Sequence, residues 1–202
     1  MADLNLVREN LEKRGYSAKA FATGAEAAEY LSSVIQDTVV VFGGTQTAED
    51  LGLYEKLGQN NTVIKNAERR ARLQDKEFQK EVMSSPVFIA SANGVSEDGD
   101  IVNIDGFGNR TSGILHGHER VFLVIGRNKI VPTLEDAVFR ARNVAAPRNA
   151  QKKQLNTPCA INGDRCYDCN SPQRICRGME ILLRPVRSCK TEIVLVDEDL
   201  GM

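Results

Sequence analysis

Four cysteines close together are the most chemically pointed feature of this sequence. Cys159, Cys166, Cys169 and Cys176 are spaced C-x6-C-x2-C-x6-C. The central pair lets one tight turn aim two thiolates at a single ion, and the outer two close a tetrahedron around it. Asn162-Gly163-Asp164 and Asn170-Ser171-Pro172 supply the turns that such wrapping needs. The spacing matches neither the bacterial nor the plant-type ferredoxin pattern, so zinc is favoured over an iron-sulfur cluster. Four reduced or redox-active thiols with no metal are the remaining alternative, and a purely structural role is the plainest reading of a metal there. Cys189 stands apart and reads as a small buried residue.

A second group of residues carries glycine loops and polar side chains beyond apolar runs. Thr38 to Phe42 reads as a buried strand that runs into Gly43, Gly44, Thr45, Gln46 and Thr47. That loop offers backbone donors to a carboxylate or phosphate, with Thr47 expected to cap the helix that follows. After a core strand at Val87 to Ala92 come Asn93, Glu97, Asp98 and the stretch Asn103 to Arg110, interleaved with Gly99, Gly106 and Gly108. Loops beyond strand ends are where α/β sites gather. The candidate ligand contacts are therefore Gly43, Gly44, Thr45, Thr47, Asn93, Asn103, Gly106, Asn109, Arg110 and Lys129. Glu97, Asp98 and Asp105 are the candidate base or nucleophile. Asn, Asp and Gly are also the commonest turn formers, which is the competing account of the same residues.

Other residues argue against familiar chemistries. His116 and His118 are the only histidines, flank Gly117 and lie in no nucleophile motif, so they read as a solvent-facing turn. Gly106-Phe107-Gly108 is followed by Asn109-Arg110-Thr111 rather than by a third glycine, so no flavin or dinucleotide fingerprint is present. Arg127 and Lys129 follow a strand end at Gly126 and face either the same crevice or solvent.

The elements that must position these residues alternate in type. A helix capped by Asp3 and ended near Gly15, a strand at Tyr16 to Phe21 and a helix capped by Thr23 precede the first glycine loop. A strand at Thr62 to Lys65, one long charged helix at Glu68 to Met83 and the strand at Val87 to Ala92 follow. Asn93 to Gly99 reads as a turn before a short strand at Asp100 to Ile104. Then come a short helix near Ser112 to Leu115, a strand at Val121 to Ile125, and a helix from Pro132 to about Asn143. Two strands at Glu180 to Leu183 and Glu192 to Val196 are expected at the sheet edge. This period predicts an α/β fold, a mostly parallel open sheet with helices on both faces, built as one domain over 1–202. The cysteines sit in a loop-rich segment at about 148–190, where nine basic residues face three acidic ones.

Composition bounds the rest. Length 202, 42% hydrophobic and 26% charged residues give a chain able to bury a core without disulfides. A net charge of -1 excludes bulk attraction to nucleic acid, and no apolar run reaches membrane-spanning length. The start of the sequence lacks signal-peptide character, so the expected address is cytoplasmic, with a homo-oligomer left open.

Five segments together resemble one family. They are Phe42-Gly43-Gly44-Thr45, Glu97 to Arg110, Gly126 to Val131, Asn143-Val144-Ala145-Ala146-Pro147 and Cys166 to Cys176, in order over nearly the whole chain. They look like the LUD-domain family, named for lactate utilization, which resembles the NagB/RpiA/CoA-transferase-like superfamily in fold. The resemblance implies a site at the loops just described and a role in oxidising L-lactate to pyruvate together with iron-sulfur partner proteins. Two alternatives are a stand-alone enzyme acting on a phosphorylated or CoA-activated small molecule, and a non-enzymatic metal or redox sensor. A small anionic metabolite is the expected ligand of the loops in the first two.

Overall fold

The computed structural model describes residues 2–202. Helix α1 (Leu4–Lys13) buries Val7 and Leu11 and is capped by Asp3, and β1 (Ser17–Phe21) follows. Helix α2 (Gly24–Val34) starts with a complete capping box between Thr23 and Glu26, an arrangement that contributes roughly 1 kcal/mol. Strand β2 (Val39–Phe42), the short helices α3 (Gln46–Asp50) and α4 (Leu53–Leu57), and β3 (Thr62–Ile64) come next. Helices α5 (Asn66–Ala71) and α6 (Lys76–Ser84) lead to β4 (Val87–Ala90), β5 (Gly94–Ser96) and β6 (Ile101–Asp105). Helix α7 (Asn109–Leu115), β7 (Arg120–Gly126), β8 (Ile130–Val131), α8 (Leu134–Arg140), α9 (Ala146–Lys152), α10 (Pro158–Asn162), β9 (Gly178–Leu182) and β10 (Lys190–Val196) complete the chain.

Six strands form one parallel sheet in the order β1-β10-β7-β4-β2-β3. Its central strands β2, β4 and β7 are apolar on both sides because both sides are covered. Val41, Phe88, Val121, Leu123, Ile125 and Ile193 face a core with α1, α6 and α7. Val40, Phe42, Ile89, Phe122, Val124 and Val194 alternate with them and face a second core with α2, α3 and α4. A four-stranded mixed sheet, β8-β5-β6-β9, joins the first core through Val95, Ile101, Ile130 and Leu182. Its Val102 and Ile104 pack instead on Ala137 and Ala141.

Several expectations are corrected. The charged segment expected as one helix breaks at 72–75, where Asp75 accepts from Phe78 N and so starts a separate α6. The expected turn after Asn93 is strand β5, paired with β6 and β8, and Gly94 is there because a Cβ would lie 2.5 Å from the Ala137 carbonyl. The helix expected to stop near Asn143 passes through a π-type turn at Ala141–Ala145 and continues as α9, and Pro147, which has no N–H to donate, sits just beyond that turn. Strand β10 is not at the edge of the sheet but lies between β1 and β7. His118 is buried rather than solvent-facing, with Nδ1 2.7 Å from the Ser85 carbonyl and its ring stacked on Phe88. Burial lowers its pKa, against a smaller opposing effect of the Ser85 bond. Among the described residues no helix is long and apolar enough to cross a membrane.

Candidate functional site

The chain turns that follow β2, β4 and β7, three adjacent strands, meet α9 around a pocket of about 60 Å³. Gly44, Thr45, Ser91, Asn93, Arg110 and Lys129 line it. Lys129 closes the short turn after β7 and is only 3% exposed. Its Nζ donates to Thr47 Oγ1 and Ser91 Oγ, each at 2.8 Å, while Ser91 Oγ donates to the Val124 carbonyl at 2.6 Å. Both partners are neutral hydroxyls, and among the described residues no carboxylate pairs directly with the ammonium, which leaves one N–H for a ligand. Burial, with Arg140 and Arg110 nearby, pushes the Lys129 pKa down to about 7, against a smaller opposing pull from Asp50.

Arg110 enters from the first turn of α7. Its Nη2 donates to Asn93 Oδ1 at 3.0 Å and to the Ile104 carbonyl, and Asn93 Oδ1 also accepts from Ile104 N at 2.8 Å. The glycine pair makes room for this packing. A Cβ on Gly43 would lie 3.3 Å from Arg110 Cγ, and one on Gly44 would lie 2.8 Å from Asn66 Nδ2. Thr45 Oγ1 lines the same pocket and, among the described residues, is buried with no hydrogen-bond partner.

The pocket opens on a larger cleft of about 600 Å³ that shares Gly44, Arg110 and Asn149 with it. Arg70, Arg110, Lys153, Arg174 and Arg177 line this cleft against one carboxylate, Asp105. Arg70 lies over the Phe107 ring, 4.4 Å from its centroid. The Lys153 pKa is lowered by partial burial and by Arg70 and Arg110, the signature of a positive potential. Pro172, Gln173, Arg174 and Ile175 form the far wall, so the cysteine segment closes the cleft.

The sequence candidates divide into groups. Gly44, Thr45, Asn93, Arg110 and Lys129 line the inner pocket, and Gly106, Asn109 and Asp105 the outer cleft. Gly43 packs behind Arg110, and Thr47, inside α3 rather than capping it, supports Lys129. Asp105 accepts from Phe107 N, Arg110 N and Thr111 N at 2.9 to 3.1 Å. Burial raises its pKa, but those donors and the Arg110 charge outweigh it and hold the carboxyl below its usual range, a bracing role for the loop. Glu97 and Asp98 lie away from the cleft, on the β5–β6 turn, where Asn10 Nδ2 donates to the Glu97 carbonyl. Arg127 pairs with Asp197 and Asp199 and leaves the crevice to Lys129. Asn103 is fully buried opposite Glu180 in the β6–β9 ladder, and among the described residues neither side chain, nor Tyr16 Oη, has a hydrogen-bond partner. Cys159, Cys166, Cys169 and Cys176, all free thiols, line one small cavity, whereas Cys189 lies apart with its Sγ 3.7 Å from the Ile114 carbonyl.

Sequence reasoning missed Ser91, Arg140 and the cations Arg70, Lys153, Arg174 and Arg177. Ser91 had a signal, as the first polar residue after an apolar strand. Arg140 had none, because its guanidinium gathers the Asn93, Asn128 and Met202 carbonyls, which lie 47, 12 and 62 residues from it.

The depressed Lys129 makes anion binding pH-dependent. At pH 8 its amine is mostly neutral, and an anion in the pocket restores the proton. Calorimetric titration with a carboxylate at pH 8, in buffers of different ionisation heat, is expected to show uptake of close to one proton, falling toward none at pH 5.5. A heat independent of buffer at pH 8 would remove Lys129 from the anion's contacts.

A family model described as the LUD domain matches residues 4–196. Among solved structures, a DUF162-family protein from Deinococcus radiodurans is similar in fold, with a TM-score of 0.55 and 11% identity over 96% of this chain and 95% of that one. A ribose 5-phosphate isomerase A from Neisseria gonorrhoeae overlaps 55% of this chain and 54% of its own at a TM-score of 0.36 and 17% identity, too distant to support an argument. Among curated proteins there is no match.

Proposed function

The chain belongs to the LUD-domain family, and from that premise we propose that it is a lactate-utilization protein, a component of L-lactate to pyruvate oxidation that works with iron-sulfur partner proteins. Its own part is to hold the small carboxylate, while the partners accept the two electrons released. The observation that carries this reading is the inner pocket, where a buried Lys129 without a counterion, an unpartnered Thr45 hydroxyl and Arg110 converge. A hole for one water measures about 10–15 Å³, so about 60 Å³ suits a ligand of a few heavy atoms such as a three-carbon acid. Charge-assisted bonds from Lys129 and Arg110 would fix the carboxylate, and Thr45 would accept or donate at the second carbon.

One observation favours a second reading. The outer cleft is about ten times larger than lactate needs and carries five cations, which suits a phosphorylated or CoA-activated small molecule. Titration calorimetry at pH 6.5 with L-lactate, pyruvate, acetyl phosphate and acetyl-CoA separates the two. Binding of L-lactate or pyruvate with a dissociation constant below about 10 mM supports the first. Binding of only the phosphorylated or CoA compounds transfers the assignment to the second. A strain lacking this chain is expected to grow poorly on L-lactate, and normal growth there would remove the lactate role.

A further inference from the structure

The cysteine segment holds the wall of the outer cleft, yet the anion site makes no use of its thiols. Cys159 comes from α10, Cys166 and Cys169 from the loop beyond it, and Cys176 from the approach to β9. All four line one cavity of about 20 Å³ beside Arg142 and Arg174. Donors already face the sulfurs. Asp168 N lies 3.4 Å and Arg142 Nη2 3.8 Å from Cys166 Sγ, and the Thr157 hydroxyl lies 3.4 Å from Cys159 Sγ. N–H and guanidinium donors of this kind recur around metal-bound sulfur. Asp168 adopts the left-handed conformation, φ 46°, which turns the chain tightly between Cys166 and Cys169.

We infer that Cys159, Cys166, Cys169 and Cys176 take up one Zn²⁺ ion and that this ion fixes the wall of the anion cleft. The spacing favours a single ion, since C-x6-C-x2-C-x6-C matches neither ferredoxin pattern and four thiolates suffice for one tetrahedral Zn²⁺. Among the described residues no three Cys, His, Asp or Glu side chains yet stand as a ligand group, so the ion itself draws the sulfurs in to about 2.3 Å. Four thiols lose their protons on binding, and Arg142 and Arg174 offset the net charge of -2 that four thiolates and Zn²⁺ leave. Arg174 already donates to the carbonyls of Cys169 and Cys176, at 2.6 and 3.1 Å, clasping the two ends of the wall. Pro172, Gln173, Arg174 and Ile175 lie between those two cysteines, so closing the ligand set fixes the residues that line the cleft. The metal site stands apart from the lactate reading, because its occupancy is measured with no anion present.

The full chain, purified anaerobically without chelator, is the material for the test. Metal analysis is expected to give close to one zinc per chain, and Co²⁺ exchanged for it should give the visible bands of a tetrahedral tetrathiolate site. Cys166→Ser and Cys169→Ser are expected to lose the metal, while Cys189→Ser keeps it. Should those variants fail to fold, stripping zinc from the wild type and restoring it supplies the same comparison. Hydrogen exchange over 159–177 is then expected to rise on stripping and fall again on zinc return. Less than about a tenth of an equivalent of zinc, with four titratable thiols or two disulfides, would overturn the inference and leave a redox-active cluster. Iron with acid-labile sulfide would overturn it in favour of a cluster that the cavity must expand to hold. Zinc present with unchanged exchange after stripping would refute the link to the wall.

Discussion

Lys129→Met is expected to weaken carboxylate binding at pH 6.5 by roughly 10- to 100-fold, because one charge-assisted hydrogen bond is worth about 1.5–3 kcal/mol. The same change is expected to stabilise the fold. Lys129 ionises in the folded state at about 7 rather than near its ordinary 10.5, so the native chain holds fewer protons than the unfolded chain between those pH values. Stability contributed by this group therefore rises with pH from about 7 to 10.5, and its full cost is felt below 7. Methionine keeps the buried stem without the charge, and Thr47 and Ser91, 3.3 Å apart, retain a bond to each other. A gain of about 2–4 kcal/mol at pH 6, fading above pH 9, is the expected result of denaturant unfolding. Weaker binding together with higher stability rules out damage to the fold as the cause. Unchanged affinity would show that Lys129 does not touch the ligand, and lower stability would show that its two hydroxyl bonds matter more than its desolvation.

Glu180→Gln is expected to stabilise the chain at pH 8 by about 2–3 kcal/mol and to do little at pH 4.5. Burial raises the Glu180 pKa from 4.5 to about 7, with Arg110 pulling it down and Asp105 pushing it up. Between those values the folded chain keeps a proton that the unfolded chain has lost, so stability falls as pH rises from about 4.5 to 7. Glutamine mimics the protonated acid, remains opposite Asn103 and never pays for ionising. Unfolding curves of both proteins at pH 5, 6.5 and 8 test this. Parallel pH profiles, or a loss of stability at pH 8, would mean that the buried carboxylate has a partner such as ordered water that glutamine fails to keep.

Much of the fold was legible because both faces of the parallel sheet are covered. Strands with two buried faces are apolar over their buried length, and Val39–Phe42 and the run from Val121 to Ile125 show it in their sequence. Strand β5 was hidden by composition. Gly94 reads as a turn former, but it is glycine because α8 passes against its backbone, a contact 43 residues away in the chain. The break between α5 and α6 was masked because charged residues continue the helical pattern across it, and only the Asp75 cap marks it. Lys129 was recognised by its place after a strand end. The hydroxyls that hold it lie 82 and 38 residues away, and its pKa is depressed by burial with Arg140 and Arg110 nearby, a property of tertiary packing that spacing does not carry. The cationic cleft was hidden for a similar reason, since Arg70, Lys153 and Arg174 come from α5, the turn after α9 and the cysteine segment.

A crystal structure of the chain with pyruvate at pH 6.5 tests the central claim, that the inner pocket is built for a small carboxylate. The predicted result is a carboxylate oxygen about 3 Å from Lys129 Nζ, a second within reach of Arg110, and the Thr45 hydroxyl satisfied by the ligand. Pyruvate bound only in the outer cleft, or a pocket holding nothing but water at saturating pyruvate, would contradict it.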